Sequence, residues 1–149
     1  MNEEITLLTE FLDFDVYPIN DFSKDHFKGN NNQKTLIVLG TKSQTAGNEQ
    51  FLQKIISAVK FNLTEDTVIY RFNQEKPMAF ATICQNYDIE KVIFFDTNLT
   101  DLGLHIQFPK YQVVNWNDFQ LLNVDSLSKI EQDNRLKGGL WNALKTMFL

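Results

Sequence analysis

Three short apolar runs, separated by helical patterns, constrain the fold of this chain more than any other feature. The runs are TLIVL at residues 35–39, TVIYRF at 67–72 and KVIFFD at 91–96. Continuous apolar runs of this length are typical of strands buried on both faces of a parallel sheet. Apolar residues at helical spacing lie between them, over 51–59 and 80–87. We therefore predict an α/β fold with a mainly parallel sheet and right-handed crossovers.

The elements around these runs are shorter. We predict two short strands in an edge hairpin at residues 111–114 and 119–122. We also predict a loop at residues 97–104 and a turn at residues 64–66. Ser126 is a good N-cap for a short helix over 127–132, and Asp133 or Asn134 begins the final helix.

The final helix has a single apolar stripe and two internal glycines. The stripe consists of Leu136, Leu140, Trp141, Leu144 and Phe148. Gly138 and Gly139 lie within the helix, where each costs about 1 kcal/mol relative to alanine. A close approach of a neighbouring group would compensate this cost. Two explanations stay open: tight packing of the helix on the sheet, or a groove for a partner beside Trp141.

The first 33 residues differ in character from the rest. Residues 3–12 have apolar side chains at helical spacing, residues 14–19 form an apolar extended segment, and residues 20–34 are a polar linker. We therefore divide the chain into a docking segment with its linker at 1–33 and a globular α/β domain at 34–149. The apolar segment is either a tethered peptide that orders on binding a partner, or an ordinary helix and edge strand of the sheet.

Charge and composition exclude several classes of protein. A net charge of -5 argues against a domain that binds nucleic acid strongly by itself, because phosphate binding needs clustered lysine and arginine. We expect neither a signal peptide nor a membrane span, since Glu3 and Glu4 occupy the usual basic region and no apolar run approaches about 18 residues. Cys84 is the single cysteine. These features predict a cytoplasmic protein without an internal disulfide.

The loop after the first strand resembles a phosphate loop only superficially. It reads GTKS at residues 40–43, but Thr41 stands where the second glycine of that motif belongs. We interpret it as an ordinary connection between a strand and a helix.

Other reactive residues are isolated in the sequence. His26, His105 and Cys84 lack the spacing of metal ligands, so we expect neither a metal nor a cofactor. Cys84 lies on the apolar stripe of its helix and is interpreted as a structural thiol. Asp96, at the end of a predicted parallel strand, is placed where α/β enzymes have their sites, but the sequence shows no base or nucleophile to accompany it.

Three stretches, taken in order, resemble the psi subunit family of bacterial DNA polymerase III. They are LDFDVYPI at residues 12–19, the segment 35–72, and a closing pattern with SL at 126–127 and LWNAL at 140–144. In that family a short helix and a Gly-Ile-x-x-Trp-x-Leu segment precede the core, and a Ser-Leu, then Leu-Trp-x-x-Leu pattern closes it. The present chain has Asp13 in place of the glycine and Tyr17 in place of the tryptophan.

The resemblance implies a three-layer α/β/α sandwich similar to the uracil-DNA glycosylase fold, without catalysis. It also implies an adaptor role, with the N-terminal segment on the clamp-loader core and the globular body on a chi-like subunit that binds single-stranded-DNA-binding protein. The residues that we expect to bind partners are Leu12, Phe14, Tyr17, Ile19 and Trp141.

Two other functions are kept as alternatives. A glycosylase would have to flip a base into a pocket, and this chain lacks the Gly-Gln-Asp-Pro-Tyr and His-Pro-Ser segments of such enzymes. A small nucleotide-binding α/β domain would use the loop 40–48 at the beginning of a helix.

Overall fold

The computed structural model describes residues 27–44, 46–73 and 78–148, which form a mixed α/β structure with a six-stranded sheet. The strands are β1 (Phe27–Lys28), β2 (Thr35–Leu39), β3 (Thr67–Arg71), β4 (Lys91–Phe95), β5 (Val114–Trp116) and β6 (Phe119–Val124). The helices are α1 (Ala46–Ala58), α2 (Leu63–Asp66), α3 (Phe80–Asn86), α4 (Leu127–Glu131) and α5 (Asn134–Phe148), with 3-10 helices at Thr41–Ser43 and Leu99–Leu102.

The sheet has a parallel centre and antiparallel edges. Its strand order is β1-β3-β2-β4-β6-β5. The pairs β3-β2, β2-β4 and β4-β6 are parallel, whereas β1-β3 and β5-β6 are antiparallel. The prediction of an α/β fold is confirmed, and the three apolar runs form three of the four central strands.

Alternate residues of the central strands supply two separate apolar faces, as the twofold repeat of a strand requires. In β2, Ile37 and Leu39 belong to one hydrophobic cluster, and Leu36 and Val38 belong to the other. Helices α1, α4 and α5 pack in the first cluster. Helix α3 and the second 3-10 helix pack in the second cluster. Apolar runs without alternation are explained by this burial on both sides.

The shorter elements differ in detail from the sequence prediction. Strand β6 lies inside the sheet and pairs with β4, so only β5 is an edge strand of that hairpin. The predicted turn at residues 64–66 belongs to α2, because the side chain of Asn62 accepts hydrogen bonds from the backbone of the first turn. The predicted loop at 97–104 contains the second 3-10 helix, capped by the side chain of Asn98.

The predicted linker is attached to the sheet over the part that the structure describes. Phe27 and Lys28 form β1, and the Phe27 ring stacks on Tyr70 at 4.9 Å between centroids. The backbone N–H groups of residues 30–33 donate to carbonyl oxygens of residues 64–67. These hydrogen bonds hold the backbone of this polar segment against the sheet. The composition of the segment alone does not predict them.

The final two helices begin where the sequence places them. Ser126 caps α4 by accepting a hydrogen bond from the Lys129 N–H at 3.3 Å. Asp133 precedes α5 and accepts one from the Arg135 N–H at 2.9 Å. In the described part of the chain, no helix is both long and apolar enough to span a membrane.

The two glycines of α5 need no close neighbour. Apart from the adjacent residues and the helix's own backbone, no described atom lies within 4 Å of a Cβ placed on Gly138. A Cβ on Gly139 would meet the Tyr111 ring at 3.5 Å, an ordinary contact distance. The expectation that tight packing compensates both glycines is therefore wrong. Their cost in helix stability is left uncompensated inside the described structure.

Candidate functional site

A polar cavity of about 320 Å³ lies at the carboxyl ends of the central strands. The residues at the ends of β2, β3, β4 and β6 that line it are Gly40, Phe72, Asp96 and Val124. The chain continues from β2 to β3 on one side of the sheet and from β4 towards β6 on the other. The cavity therefore lies where the connections diverge, which is the usual ligand position in open α/β sheets.

The ends of β2 and β4 approach closely beneath this cavity. The Gly40 N–H donates to the Phe95 carbonyl at 2.8 Å, and the Asp96 N–H donates to the Val124 carbonyl at 3.0 Å. A side chain at Gly40 would overlap the carbonyl oxygen of Asp96, so the backbone contact requires glycine. Asp96 itself has a φ of 54°, an unusual conformation for a residue other than glycine.

The cavity wall combines carboxylates, amides, hydroxyls and one amine. The polar residues are Thr41, Asp96, Thr97, Asn98, Asp101, Lys110 and Asn123. The side-chain oxygen of Asn123 is buried and accepts no hydrogen bond from the described residues. Because Asp96 and Asp101 repel phosphate, the wall suits a small polar ligand with hydrogen-bond donors better than a polyphosphate.

Beside the cavity, Asp125 forms a hydrogen-bonded cluster. Its carboxylate accepts from the Tyr111 hydroxyl at 2.7 Å and from the Lys110 amine at 2.8 Å, and the Lys129 amine lies 3.6 Å away. Burial raises the pKa of Asp125, but hydrogen bonds from Lys110 and Tyr111 and the charge of Lys129 together lower it below its usual value. The cluster therefore positions the Lys110 amine at the cavity rim.

Tyr111 is a persistent donor in this cluster. Burial, together with the hydrogen bond to Asp125, raises the pKa of the Tyr111 hydroxyl well above its usual value. The backbone N–H of Tyr111 donates to the Asn123 carbonyl at 2.9 Å, which fixes the residue beside β6. Tyr111 thus remains protonated at neutral pH and keeps Asp125 in place.

The loop after β2 packs inside the protein rather than around a ligand. Ser43 is fully buried, and its hydroxyl accepts from the Leu127 N–H at 3.0 Å. The Asn48 side chain accepts from the Ser128 hydroxyl at 3.0 Å. The Gln44 amide donates to the carbonyls of β2 and of Phe72. The bonds of Ser43 and Asn48 attach α4 to this region, and those of Gln44 attach it to the ends of β2 and β3. They agree with the interpretation of residues 40–43 as an ordinary connection.

The outer face of α5 is a second surface; it comprises Arg135, Lys137, Gly138, Trp141 and Lys145. Lys137 and Gly138 precede Trp141 by four and three residues, and Lys145 follows it by four. Trp141 is 37% exposed, the large hydrophobic side chain that the described structure leaves most open. Lys137 and Lys145 lie one helical turn on either side of it, and the Lys145 amine is 5.8 Å from the ring centroid. Trp141 therefore departs from the apolar stripe in which the sequence places it.

The remaining predicted residues have different positions. Leu12, Phe14, Tyr17, Ile19 and His26 lie outside the described residues. His105 is exposed. Cys84 is half-buried against the second apolar cluster, and burial raises its thiol pKa to about 11. Such a thiol is protonated at neutral pH, as expected of a structural cysteine. Within the described ranges, no three histidine, cysteine or acidic residues are grouped to hold a metal ion.

Sequence reasoning did not find the cluster around Asp125 or the role of Asn123. Tyr111 and Asp125 are separated by 14 residues, and no local pattern links them. The nearest signal was the predicted hairpin, because a turn followed by a strand returns residue 111 to the vicinity of residue 123.

Comparison with known proteins assigns the chain to no family. No family model matches its sequence, and no curated protein matches it significantly. Its function is therefore inferred from the geometry of the cavity and of the outer face of α5, together with the resemblance of the three stretches.

Proposed function

We propose that this protein is a non-catalytic adaptor subunit of the bacterial DNA polymerase III clamp loader. Residues 1–33 would bind the clamp-loader core, and the globular domain would bind a chi-like subunit that contacts single-stranded-DNA-binding protein. One observation carries the proposal: α5 exposes Trp141 between two lysines that form no ion pair with the described residues. Exposed aromatic side chains of this kind supply much of the binding energy at protein interfaces.

The architecture supports the proposal. Helices packed on both sides of a largely parallel sheet are compatible with a three-layer α/β/α sandwich similar to the uracil-DNA glycosylase fold. The residues of the closing pattern at 126–127 and 140–144 have distinct structural roles. Ser126 caps α4, and Leu140 and Leu144 are buried, whereas Trp141 is exposed. A pattern that contains both core and surface residues is consistent with a segment used for folding and for binding.

The N-terminal part of the proposal is tested by co-purification. Tyr17→Ala in the full chain should weaken recovery of clamp-loader subunits from the native cell extract and leave the melting temperature nearly unchanged. Asp21→Ala is the matched control in the same segment. Loss of folding in Tyr17→Ala would instead place Tyr17 in the core, and undiminished recovery of the clamp loader would contradict its role as an anchor.

The globular part is tested separately. Trp141→Ala should retain the clamp-loader subunits and lose a chi-like subunit from the same purification, as measured by quantitative mass spectrometry. Trp116→Phe is a control at a half-buried tryptophan of β5. Equal recovery of all subunits from wild type and Trp141→Ala would remove the outer face of α5 from the proposed interface.

A second candidate is a small nucleotide-binding domain. The polar cavity at the strand ends favours the base and sugar of such a ligand, whereas Asp96 and Asp101 repel its phosphates. Saturation with a nucleoside or nucleotide at 100 times its dissociation constant should stabilise the protein by about 2.7 kcal/mol, measurable as a rise in melting temperature. Asn123→Leu should abolish that rise, because it removes the buried side-chain oxygen that accepts no hydrogen bond from the described residues. An unchanged melting temperature across a panel of nucleosides and nucleotides would exclude this candidate.

A further inference from the structure

We infer that the outer face of α5 binds an acidic segment of a partner protein that inserts one apolar side chain beside Trp141. The inference rests on the proposed adaptor function and specifies the chemistry of the partner. It depends on three properties of this face: its unpaired cations, its exposed aromatic ring and the open space at Gly138.

The charge of α5 differs from that of the whole chain. The protein has a net charge of -5, whereas α5 contains Arg135, Lys137 and Lys145 and no acidic residue. Within the described ranges, none of these three cations forms an ion pair. The cations that do meet a carboxylate elsewhere are Lys28, Lys34, Arg71, Lys110 and Lys129.

The acids that precede α5 in sequence form no ion pair with this face in the described structure. Glu131 and Asp133 precede α5, and the Asp133 carboxylate accepts a hydrogen bond from the Arg135 N–H. Both lie before the first turn of α5, whereas Lys137 and Lys145 flank Trp141 further along the helix. The positive charge around Trp141 is thus available to an external carboxylate, and such pairing gives both orientation and specificity.

Gly138 provides space beside the exposed ring. It lies one turn before Trp141 on the same face, and apart from the adjacent residues and the helix's own backbone no described atom lies within 4 Å of the position that its Cβ would occupy. An alanine would fit there and would favour the helix by about 1 kcal/mol. Glycine leaves a shallow gap between successive turns, and an apolar partner side chain can enter it and contact the Trp141 ring.

A protein segment fits this face better than a nucleic acid. Lys137 and Lys145 are eight residues apart, which corresponds to roughly 12 Å along the helix. A short acidic peptide can match two charges at this spacing, whereas nucleic-acid binding needs a broader basic surface and a favourable overall charge. The net charge of the chain opposes the second possibility.

The test uses the immobilised full-length chain and a random peptide library displayed on phage. We expect enriched sequences in which aspartate or glutamate flanks one aromatic or aliphatic residue. Synthetic peptides of those sequences should lose at least 10-fold in affinity with Lys145→Glu and with Trp141→Ala, measured by fluorescence anisotropy. The matched control is Lys54→Glu on the exposed side of α1, which should leave the affinity unchanged.

Gly138→Ala separates binding from folding. This variant should raise the melting temperature and weaken peptide binding, because the methyl group stabilises the helix and fills the gap. A variant that is more stable and binds less cannot be explained by damage to the fold. Unchanged peptide affinity in Gly138→Ala would show that the gap is not used and would overturn this part of the inference.

Other results would overturn the inference as a whole. They include selected peptides without acidic residues, peptides whose affinity is insensitive to Lys145→Glu, and oligo(dT) binding that Lys145→Glu abolishes. A dimer in sedimentation velocity that Trp141→Ala dissociates would assign the face to a second copy of this chain. None of these results would affect recovery of the clamp loader through Tyr17, so failure here is distinguishable from failure of the proposed function.

Discussion

The inner and outer faces of α5 are built from the same 15 residues but have opposite environments. Leu140, Ala143, Leu144 and Met147 on the inner face are at most 5% exposed and pack in the first apolar cluster. The outer face has cations without ion pairs, an open glycine and the exposed Trp141. The side chains of the inner face pack against other residues of the domain. Those of the outer face contact water or a partner.

This difference separates stability from binding within one helix. Substitutions on the inner face remove packed atoms and should act on folding. Substitutions on the outer face change groups that make few contacts in the described structure. They should therefore change the affinity for a partner more than the free energy of unfolding. The following substitutions test that separation, beginning with the largest expected effect.

Leu144→Ala on the inner face should lower the free energy of unfolding by about 2 to 5 kcal/mol, because Leu144 is 1% exposed and its removal leaves a cavity. Urea denaturation followed by circular dichroism measures this change. A loss below about 1 kcal/mol would contradict the assignment of this face to the core.

Asp125→Asn should lower the free energy of unfolding by about 2 kcal/mol at pH 7, because the charge-assisted hydrogen bonds from Lys110 and Tyr111 are weakened. The pKa of Asp125 is lowered in the folded protein, so its stabilising contribution is present above the unfolded pKa of about 3.9 and is lost as the pH falls through the folded pKa. The difference between wild type and Asp125→Asn should therefore decrease below pH 4. A difference that stays constant from pH 7 to pH 3 would show that the carboxylate charge does not matter.

Trp141→Ala should lower the free energy of unfolding by only about 1 kcal/mol, because the ring is partly exposed and alanine favours the helix. A fully buried tryptophan would cost about 3 to 5 kcal/mol. Comparison with Leu144→Ala under identical denaturation conditions checks the expectation. An effect as large as that of Leu144→Ala would eliminate the distinction between the two faces.

Gly138→Ala should raise the free energy of unfolding by up to about 1 kcal/mol, since a Cβ at this position meets no described atom beyond the adjacent residues and the helix's own backbone. Gly139→Ala is the matched comparison, and its gain should be at least as large because its Cβ would make an ordinary van der Waals contact with the Tyr111 ring. Thermal denaturation of the two variants together measures this difference. Destabilisation by Gly138→Ala would reveal a contact that the structure does not contain.

Two regions of the sheet illustrate how far local patterns determine the fold. The apolar runs at 35–39, 67–71 and 91–95 form β2, β3 and β4 because uninterrupted apolar character requires burial on both faces. Strand β6 was predicted as part of an edge hairpin, since its sequence has the same local features at an edge or inside. Its place beside β4 was decided by pairing with a strand distant in sequence.

The candidate sites depend even more on tertiary structure. Periodicity identified Asp96 as a residue at a strand end, but the cavity above it requires Asn123 from β6 and Lys110 from the segment before β5. Periodicity also placed Trp141 in the apolar stripe of α5. Its 37% exposure depends on how the other elements cover the helix, and a helical repeat does not contain that information.

The sequence by itself determined the alternation of the central strands and helices, the cap at Ser126, and a final helix that begins at Asp133 or Asn134, because these depend on residues close together in the chain. Only the tertiary structure decided the strand order, the contact between Tyr111 and Asp125, and which side of α5 stays open. The physical reason is that burial and hydrogen bonding between distant segments depend on how whole elements pack, whereas hydrophobic periodicity records only that each element has a face to bury.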